Sequence, residues 1–480
     1  MKKWWSYLFA LTACLTATGC TVQPTNQANQ NVASPLPSAT ASLSPGNNQA
    51  SSAQSLTLPV LDAFFADESF AGTLKTRLQL TDEQVAKLKD LAHSETAKLN
   101  EETEGKGESE SSTARAEAAE KIGALIGPEK TQLLAELVNE LSSGPADEAS
   151  DKSAAQSTNS RERSAGAPNA VPTDSRIVVN IPAYRMDVFD GGRLIKSYKI
   201  GIGYPQFPLP IGLRKAHVII FNPSWTPPDE PWVAKMKDVS AGQKVAAGSK
   251  LNPLGPIKIP IGGPSLIHGG KSPAKLGTFA SHGCVGLTTP QIQDFAKQIA
   301  QIGGAQLTDA ELTDYARDKT QTKQIKLGRP VPVELRYETI VVEDGKLHIY
   351  RDVYDQDTNT EDNLRAVLEA NGTGLDDLTE GERSQALDAI AQMSNASGAG
   401  TVGPKRSPSP IASARSFSPA ERRSSSSKKM TAVAKNQKEI VIEIGALKGK
   451  GYPSPVAFDT GGGKTKATLS RPGKRENPGL

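Results

Sequence analysis

The chain has 480 residues, three cysteines and five histidines, and two of the histidines share short strings with a lone cysteine. Leu266-Ile267-His268-Gly269-Gly270 is followed by Ser281-His282-Gly283-Cys284-Val285-Gly286-Leu287. A cysteine nucleophile needs its thiolate, a base to generate it, and N–H donors for the oxyanion. A free thiol with a pKa of about 8.5 is mostly protonated at neutral pH, and a neighbouring imidazolium can lower that by several units. His268 lies 16 residues upstream of Cys284, and two adjacent strands joined by a loop would bring the pair together. Gly283 permits a tight turn, so that backbone N–H groups near 283–284 can point at one oxygen. The residues alone therefore point to thiol acyl transfer, with Cys284 as nucleophile and His268 as base. Two blander arrangements use the same side chains. Cys284 could be a buried structural thiol and His268 a core histidine satisfied by backbone. His268, His282 and Cys284 could also hold zinc, but nothing nominates a fourth ligand or an open water position. His93 and His348 read as ordinary surface or strand residues.

The elements that must position these strings are β-like. From Arg176, Ile177, Val178, Val179 and Ile181, then Met186, Val188 and Phe189, flank a turn at Asp190-Gly191-Gly192. Glycine and proline recur through 201–287, as short strands and tight turns require. A helix is expected over 289–300, carrying Ile292, Phe295, Ala296 and Ile299. Strands are expected over Pro330–Tyr337, Glu338–Glu343 and Lys346–Tyr350, the last two joined by Asp344-Gly345. A final helix is expected over 361–370. Trp225 and Trp232, set among prolines, could either line a substrate groove or pack into the core.

Outside this region the composition shifts. Hydrophobic residues make up 37% of the chain, and glycine and proline number 42 and 33, which suggests separate cores joined by polar connectors. Lys2 and Lys3 precede an apolar run from Trp4 to Ala17, too short for a stable membrane anchor, as in an export signal. Residues 21–57 read as a flexible polar tether. Within 58–143, Thr81 and Gln84 form a capping box before Val85, Leu88 and Leu91. A second helix is expected from Pro128, with a loop over 101–112 between them. Counting 59–145 gives 17 Asp plus Glu against 9 Lys plus Arg, an excess of eight acids. Residues 144–172 read as a linker. Residues 401–438 hold nine Lys plus Arg and one Glu, a disordered basic segment or an arm for anionic polymers. Residues 439–447 alternate enough for one strand, followed by a polar tail. The net charge of +3 singles out no partner class, and no nucleic-acid partner is expected.

Two resemblances follow from these strings. Ala17-Thr18-Gly19-Cys20 resembles the lipobox of bacterial lipoproteins, which implies lipidation of Cys20 and a lipid-anchored, periplasm-facing protein. Residues 176–337 resemble the catalytic domain of the YkuD-type L,D-transpeptidases, through the His-Gly and Ser-His-Gly-Cys strings. Ile177–Pro182 through Gly192, Asn222-Pro223-Ser224-Trp225-Thr226-Pro227-Pro228 and Asn252-Pro253-Leu254-Gly255 add to the likeness. It implies that Cys284 attacks a peptidoglycan stem peptide and that His268 is the base. It further implies that the Gly269 carbonyl orients the imidazole and that the Gly283 and Cys284 N–H groups line the oxyanion hole. Ser281 and His282 complete the motif, with His282 shaping the pocket, and Trp225 lies near substrate. One departure stands out: where the family usually has arginine or asparagine, supporting the substrate carboxylate or the local turn, this chain has Gly286.

The expected fold is multidomain: a β-rich catalytic domain, of mixed sandwich or barrel type with few helices, a small α-helical N-terminal module, and disordered linkers. Its parts are a signal peptide over 1–20, the tether over 21–57, the helical module over 58–143, and the linker over 144–172. The catalytic domain with a C-terminal β/α extension spans 173–393. A basic linker over 394–437 and a short strand and tail over 438–480 complete it. The expected reaction forms 3→3 cross-links through a Cys284 thioester with release of D-alanine, needs no cofactor or metal, and is open to carbapenem inhibition. Water, a free D-amino acid or a lipoprotein lysine are alternative acceptors, and a non-catalytic wall-binding module is the reading of a different class.

Overall fold

The computed structural model describes residues 56–99, 110–142, 167–394 and 437–462. The export segment, Cys20, nearly all of the tether, most of the basic linker and the end of the tail lie outside these residues.

Alternating apolar residues build an eight-stranded sheet. Its strands are β1 (Arg176–Asn180), β2 (Arg185–Asp190), β3 (Arg193–Lys199), β5 (Gly212–Phe221), β6 (Ile257–Pro260), β7 (Leu266–His268), β9 (Val285–Gly286) and β10 (Lys323–Arg336). They lie in the order β3-β2-β1-β10-β5-β6-β7-β9, and β4 (Ile202–Gly203) pairs separately with β8 (Phe279–Ser281). Gly201, just past β3, exchanges both backbone hydrogen bonds with Gly286, so the chain leaving one edge of the sheet bonds to the strand at the other. β10 starts seven residues before the expected Pro330 and changes register between Lys326 and Val331. That break accommodates Pro330, which lacks an N–H for the ladder.

A short helix, α6 (Pro231–Ala234), precedes β6. The helix α7 (Thr289–Ile302) is held at its start by Thr288 and Gln291, which cap each other reciprocally. Its buried stripe of Ile292, Phe295, Ala296 and Ile299 packs on the sheet's apolar face. A further helix, α8 (Asp309–Arg317), leads into β10.

Among its described residues the N-terminal module has the helices α1 (Leu58–Phe65), α2 (Glu68–Leu78), α3 (Asp82–Lys98), α4 (Glu110–Ile126) and α5 (Pro128–Ser142). The loop expected over 101–112 is therefore helical from Glu110 onward. The module has its own core around Leu61, Leu74, Leu88, Ile122 and Leu134. It also docks on the catalytic domain. Thr57 Oγ1 donates to the Gln206 carbonyl at 2.7 Å, and Arg115 donates to the carbonyls of Tyr354 and Asp355 at 2.8 and 2.7 Å. Thr57, expected in the tether, is wholly buried and caps α1.

The C-terminal part departs further from expectation. β11 (Ile340–Glu343), β12 (Lys346–Tyr350) and β13 (Glu439–Glu443) form one sheet, with β13 returning from beyond the basic segment. The helix α9 (Glu361–Ala370) is followed by another, α10 (Glu380–Met393), and both pack on this sheet. The first part of the expected polar tail is built in. Tyr452 is buried, and the Asp459 backbone exchanges hydrogen bonds with Ser197 and Lys199. Arg185 joins Asp187, Glu343 and the Pro453 carbonyl, so a buried charged network ties sheet, extension and tail together. The end of the expected linker is also fixed. Asn169 is buried, takes the Val342 N–H on its side-chain oxygen, and donates to the Ile340 carbonyl.

Candidate active site

Strand pairing brings the two strings together. β7 and β9 run side by side in parallel, with Ile267 opposite Val285 and His268 opposite Gly286. The ladder continues through Leu287 N–H to the His268 carbonyl and Lys271 N–H to the Leu287 carbonyl. Side chains alternate between the two faces of a strand. His268 lies in β7 and Cys284 at the turn immediately before β9, two positions back from Gly286, the partner of His268, so the two side chains come to one face. Both line an open cleft of about 1460 Å³.

His268 is 3% exposed, and its Nδ1 lies 2.8 Å from the Gly269 carbonyl. A carbonyl only accepts, so Nδ1 carries the proton and Nε2 keeps its lone pair. Gly269 has no room for a side chain, since a Cβ there would sit 2.5 Å from Ile292 Cγ2. Burial first, and the Lys271 charge second, hold His268 down at about 3, while the Gly269 and Leu254 carbonyls pull the other way. Leu254 is brought in by a close backbone approach. At Gly255, φ is +65° and a Cβ would lie 2.5 Å from the Gly270 nitrogen. Asn252 fixes that turn by accepting from Leu254 N–H at 3.1 Å and donating to the Pro223 carbonyl at 2.7 Å.

Cys284 is partly exposed and is the one free cysteine among the described residues. Burial pushes its thiol up, and the Leu266 backbone and the charges of Lys271 and Lys258 offset part of that. Gly283 has φ +87°, a value that side chains oppose. Ser281 closes the turn: its hydroxyl donates to the Cys284 carbonyl at 2.5 Å and accepts the Cys284 N–H at 3.0 Å. The Cys284 N–H is thus already engaged, and it reaches a substrate oxygen only if Ser281 gives up that bond. The expected thiolate–imidazolium pair is also not favoured at rest, because both groups are pushed towards their neutral forms.

Aromatic rings gather around His282. Trp232 stacks on His282 at 4.3 Å and 9°, Trp225 stacks on Trp232 at 6.1 Å, and Phe207 meets His282 edge-on at 4.7 Å. Trp225 is 8% exposed, packs with Val233, Val239 and Leu254, and also lines the cleft. Cys20 lies outside the described residues. Among the described residues, no group of three or more His, Cys, Asp or Glu side chains could hold a metal ion.

Several polar residues of the cleft were not singled out by sequence, Glu230, Lys258 and Lys271 among them. Glu230 is 7% exposed, accepts the Trp232 indole N–H at 2.6 Å, and is pushed up to about 7, chiefly by burial. Lys258 and Lys271 line the same space. The lysine that follows His268-Gly269-Gly270 was a usable signal, whereas Glu230 resembles any acid placed before a helix. Ala63 and Ala66, at the end of α1, also reach the cleft.

The family model of the L,D-transpeptidase catalytic domain (YkuD) matches residues 174–333. This supports an L,D-transpeptidase catalytic domain within the chain. Among solved structures, the Ldtfm–avibactam carbamoyl enzyme is similar at 15% identity over 34% of this chain and 49% of that one, with a TM-score of 0.21. The catalytic domain of the E. faecium L,D-transpeptidase is similar at 14% identity over 35% of this chain and all of that one, with a TM-score of 0.23. L,D-transpeptidase 3 from Mycobacterium tuberculosis, in complex with a faropenem-derived adduct, is similar at 13% identity, covering 34% and 60%, with a TM-score of 0.20. This chain spans about half the length of the first of these. No curated protein sequence matches it.

Proposed function

We propose that this L,D-transpeptidase domain joins peptidoglycan stem peptides through a thioester on Cys284. The observation that carries the reading is the β7–β9 pairing, which sets His268 and Cys284 on one face of a single cleft within the residues matched by the family model. His268 Nε2 takes the thiol proton as Sγ bonds to the carbonyl carbon of the third stem residue. The tetrahedral oxyanion collapses, the peptide bond breaks, and the same proton goes to the departing D-alanine nitrogen. An acceptor amine then attacks the thioester, loses its proton to His268, and Sγ leaves as the thiol. With a neighbouring diamino acid as acceptor, the product is a 3→3 cross-link. A neutral imidazole suits this sequence, because it must begin each half-reaction as a base. A cleft of about 1460 Å³ exceeds the usual small-ligand range of about 300–1,000 Å³, as two peptide substrates require.

Intact mass after incubation with a disaccharide tetrapeptide tests the reading. Wild type gains the acyl mass and loses it when acceptor is added, and Cys284→Ala gains nothing. A wild-type protein that binds the donor without an adduct would favour the wall-binding module. The product identifies the acceptor: a 3→3 dimer, a tripeptide, an exchanged tetrapeptide or a protein-linked tripeptide. Carbapenem acylation is expected at Cys284. We also place the protein in the cell envelope, anchored through a lipid on Cys20. Cys20→Ser should release it from membranes, and unchanged retention would rule out that site.

A further inference from the structure

Five lysines line the cleft, and two of them, Lys258 and Lys271, flank the His268 and Gly286 positions with no ion pair among the described residues. Lys258 stands directly opposite His268 in the β6–β7 ladder, and His268 stands opposite Gly286 in the β7–β9 ladder. Residues 258, 268 and 286 therefore form one row across three strands, on the face that lines the cleft. The third place in that row has no side chain of its own. A Cβ on Gly286 would lie 2.8, 3.0 and 3.4 Å from Cγ, Cε and Cδ of Lys271. The Lys271 stem thus occupies the space that a residue at 286 would take, while its backbone N–H is fixed to the Leu287 carbonyl at 3.0 Å.

Among the described residues neither ammonium forms an ion pair. No described carboxylate acts on Lys258 or Lys271. Burial pushes both pKa values down, a Cys284 thiolate would pull both up, and Lys275 adds to the lowering at Lys271. Among the described lining residues Glu230 is the one carboxylate, and it is held by Trp232. Half-buried, unpaired cations are costly unless an anion arrives to meet them. Both lysines act on the Cys284 thiol, so that anion must lie close to the bond under attack. In a donor tetrapeptide the nearest anion to the scissile nitrogen is the carboxylate of the leaving residue, one carbon away.

We propose that Lys258 and Lys271 form an anion subsite for the C-terminal carboxylate of the donor peptide, Lys271 reaching it through the space left by Gly286. This rests on the transpeptidase reading and adds how that site selects its donor. The carboxylate leaves with the free amino acid, so the subsite empties at acylation and does not hold back the thioester.

The test compares thioester formation, read by intact mass, for a tetrapeptide donor and its C-terminal carboxamide. A charge-assisted contact is worth about 10- to 100-fold. Wild type should favour the carboxylate donor by about that factor. Lys271→Met and Lys258→Met should each lose most of the preference, slowing the carboxylate donor by about 10- to 100-fold more than the carboxamide. Gly286→Arg alone should clash with the Lys271 stem and impair both donors. In a Lys271→Ala background the same arginine has room and should restore the preference. Iodoacetamide alkylation of Cys284 across pH serves as the control for the thiol and for folding. Equal use of both donors by wild type would overturn the subsite while leaving the transpeptidase reading intact. So would a Lys271→Met variant that slows both donors alike and shifts the alkylation profile. Acylation by neither donor would sink both readings.

Discussion

The ionisation of Cys284, the proposed nucleophile, is directly measurable. An unperturbed thiol with a pKa of about 8.5 is roughly 3% ionised at pH 7. Burial carries Cys284 above its ordinary range, and a His268 held at about 3 supplies no imidazolium to counter it. The resting thiolate fraction is therefore below that few per cent. Iodoacetamide reacts with the thiolate, so its rate constant at Cys284 should rise about tenfold per pH unit between pH 6 and 8, as expected below a thiol pKa. No inflection should appear between pH 4 and 6. Acylation by the donor should be far less steep, because His268 removes the proton within that step. His268→Ala should barely change alkylation at neutral pH, yet cost about 10²- to 10⁴-fold in acylation. The assay is stopped-flow or quenched alkylation followed by intact mass. A plateau above about pH 5 would refute the reasoning, since it would mean a standing thiolate–imidazolium pair of the kind found at low-pKa cysteines.

Other predictions concern the supports of the site. His268 has its native pKa lowered from 6.5 to about 3, so between those values the unfolded chain binds a proton that the native state does not. Stability should be complete above about pH 6.5 and fall by up to about 1.4 kcal/mol per pH unit towards pH 3. His268→Gln should flatten that slope in urea melts, and an unchanged slope would assign it elsewhere. Gly269→Ala forces a methyl to 2.5 Å from Ile292 Cγ2 and should cost about 1–3 kcal/mol of overpacking, read as a lower Tm. Ser281→Ala leaves the Cys284 N–H and carbonyl without their partner. It should cost about 1–3 kcal/mol and alter acylation more than donor binding, a split read from kcat against KM. Arg115→Ala removes the bonds from α4 to the Tyr354 and Asp355 carbonyls. Faster amide exchange across 110–142 without loss of the catalytic core is the expected result.

Much of the site was legible because its geometry is local. Ser281-His282-Gly283-Cys284 closes on itself through one hydroxyl and one glycine at φ +87°. Gly269 orients His268 from the adjacent position. Capping boxes at Thr81–Gln84 and Thr288–Gln291, and the turn at Asp190-Gly191-Gly192, are likewise written in a few consecutive residues. The helix over Glu380–Met393 was missed because its apolar residues make no clear stripe. The strand over Glu439–Glu443 was visible as a strand but not as the partner of Lys346–Tyr350.

Sequence by itself thus determined which thiol and imidazole are the candidates for nucleophile and base, the turn that presents the thiol and the β character of the domain around them, because each depends on side-chain chemistry or on neighbours a few positions apart. Only the tertiary structure decided what surrounds them. It set Lys271 over Gly286, placed Glu230 against Trp232, brought the end of α1 to the cleft and built residues 448–462 into the domain. These are contacts between segments distant in the chain, fixed by which strands pair and which faces are buried. The thiol and imidazole pKa values follow from the same burial. The resemblance implied a cysteine–histidine pair, and desolvation in the folded cleft favours neutral forms of both groups.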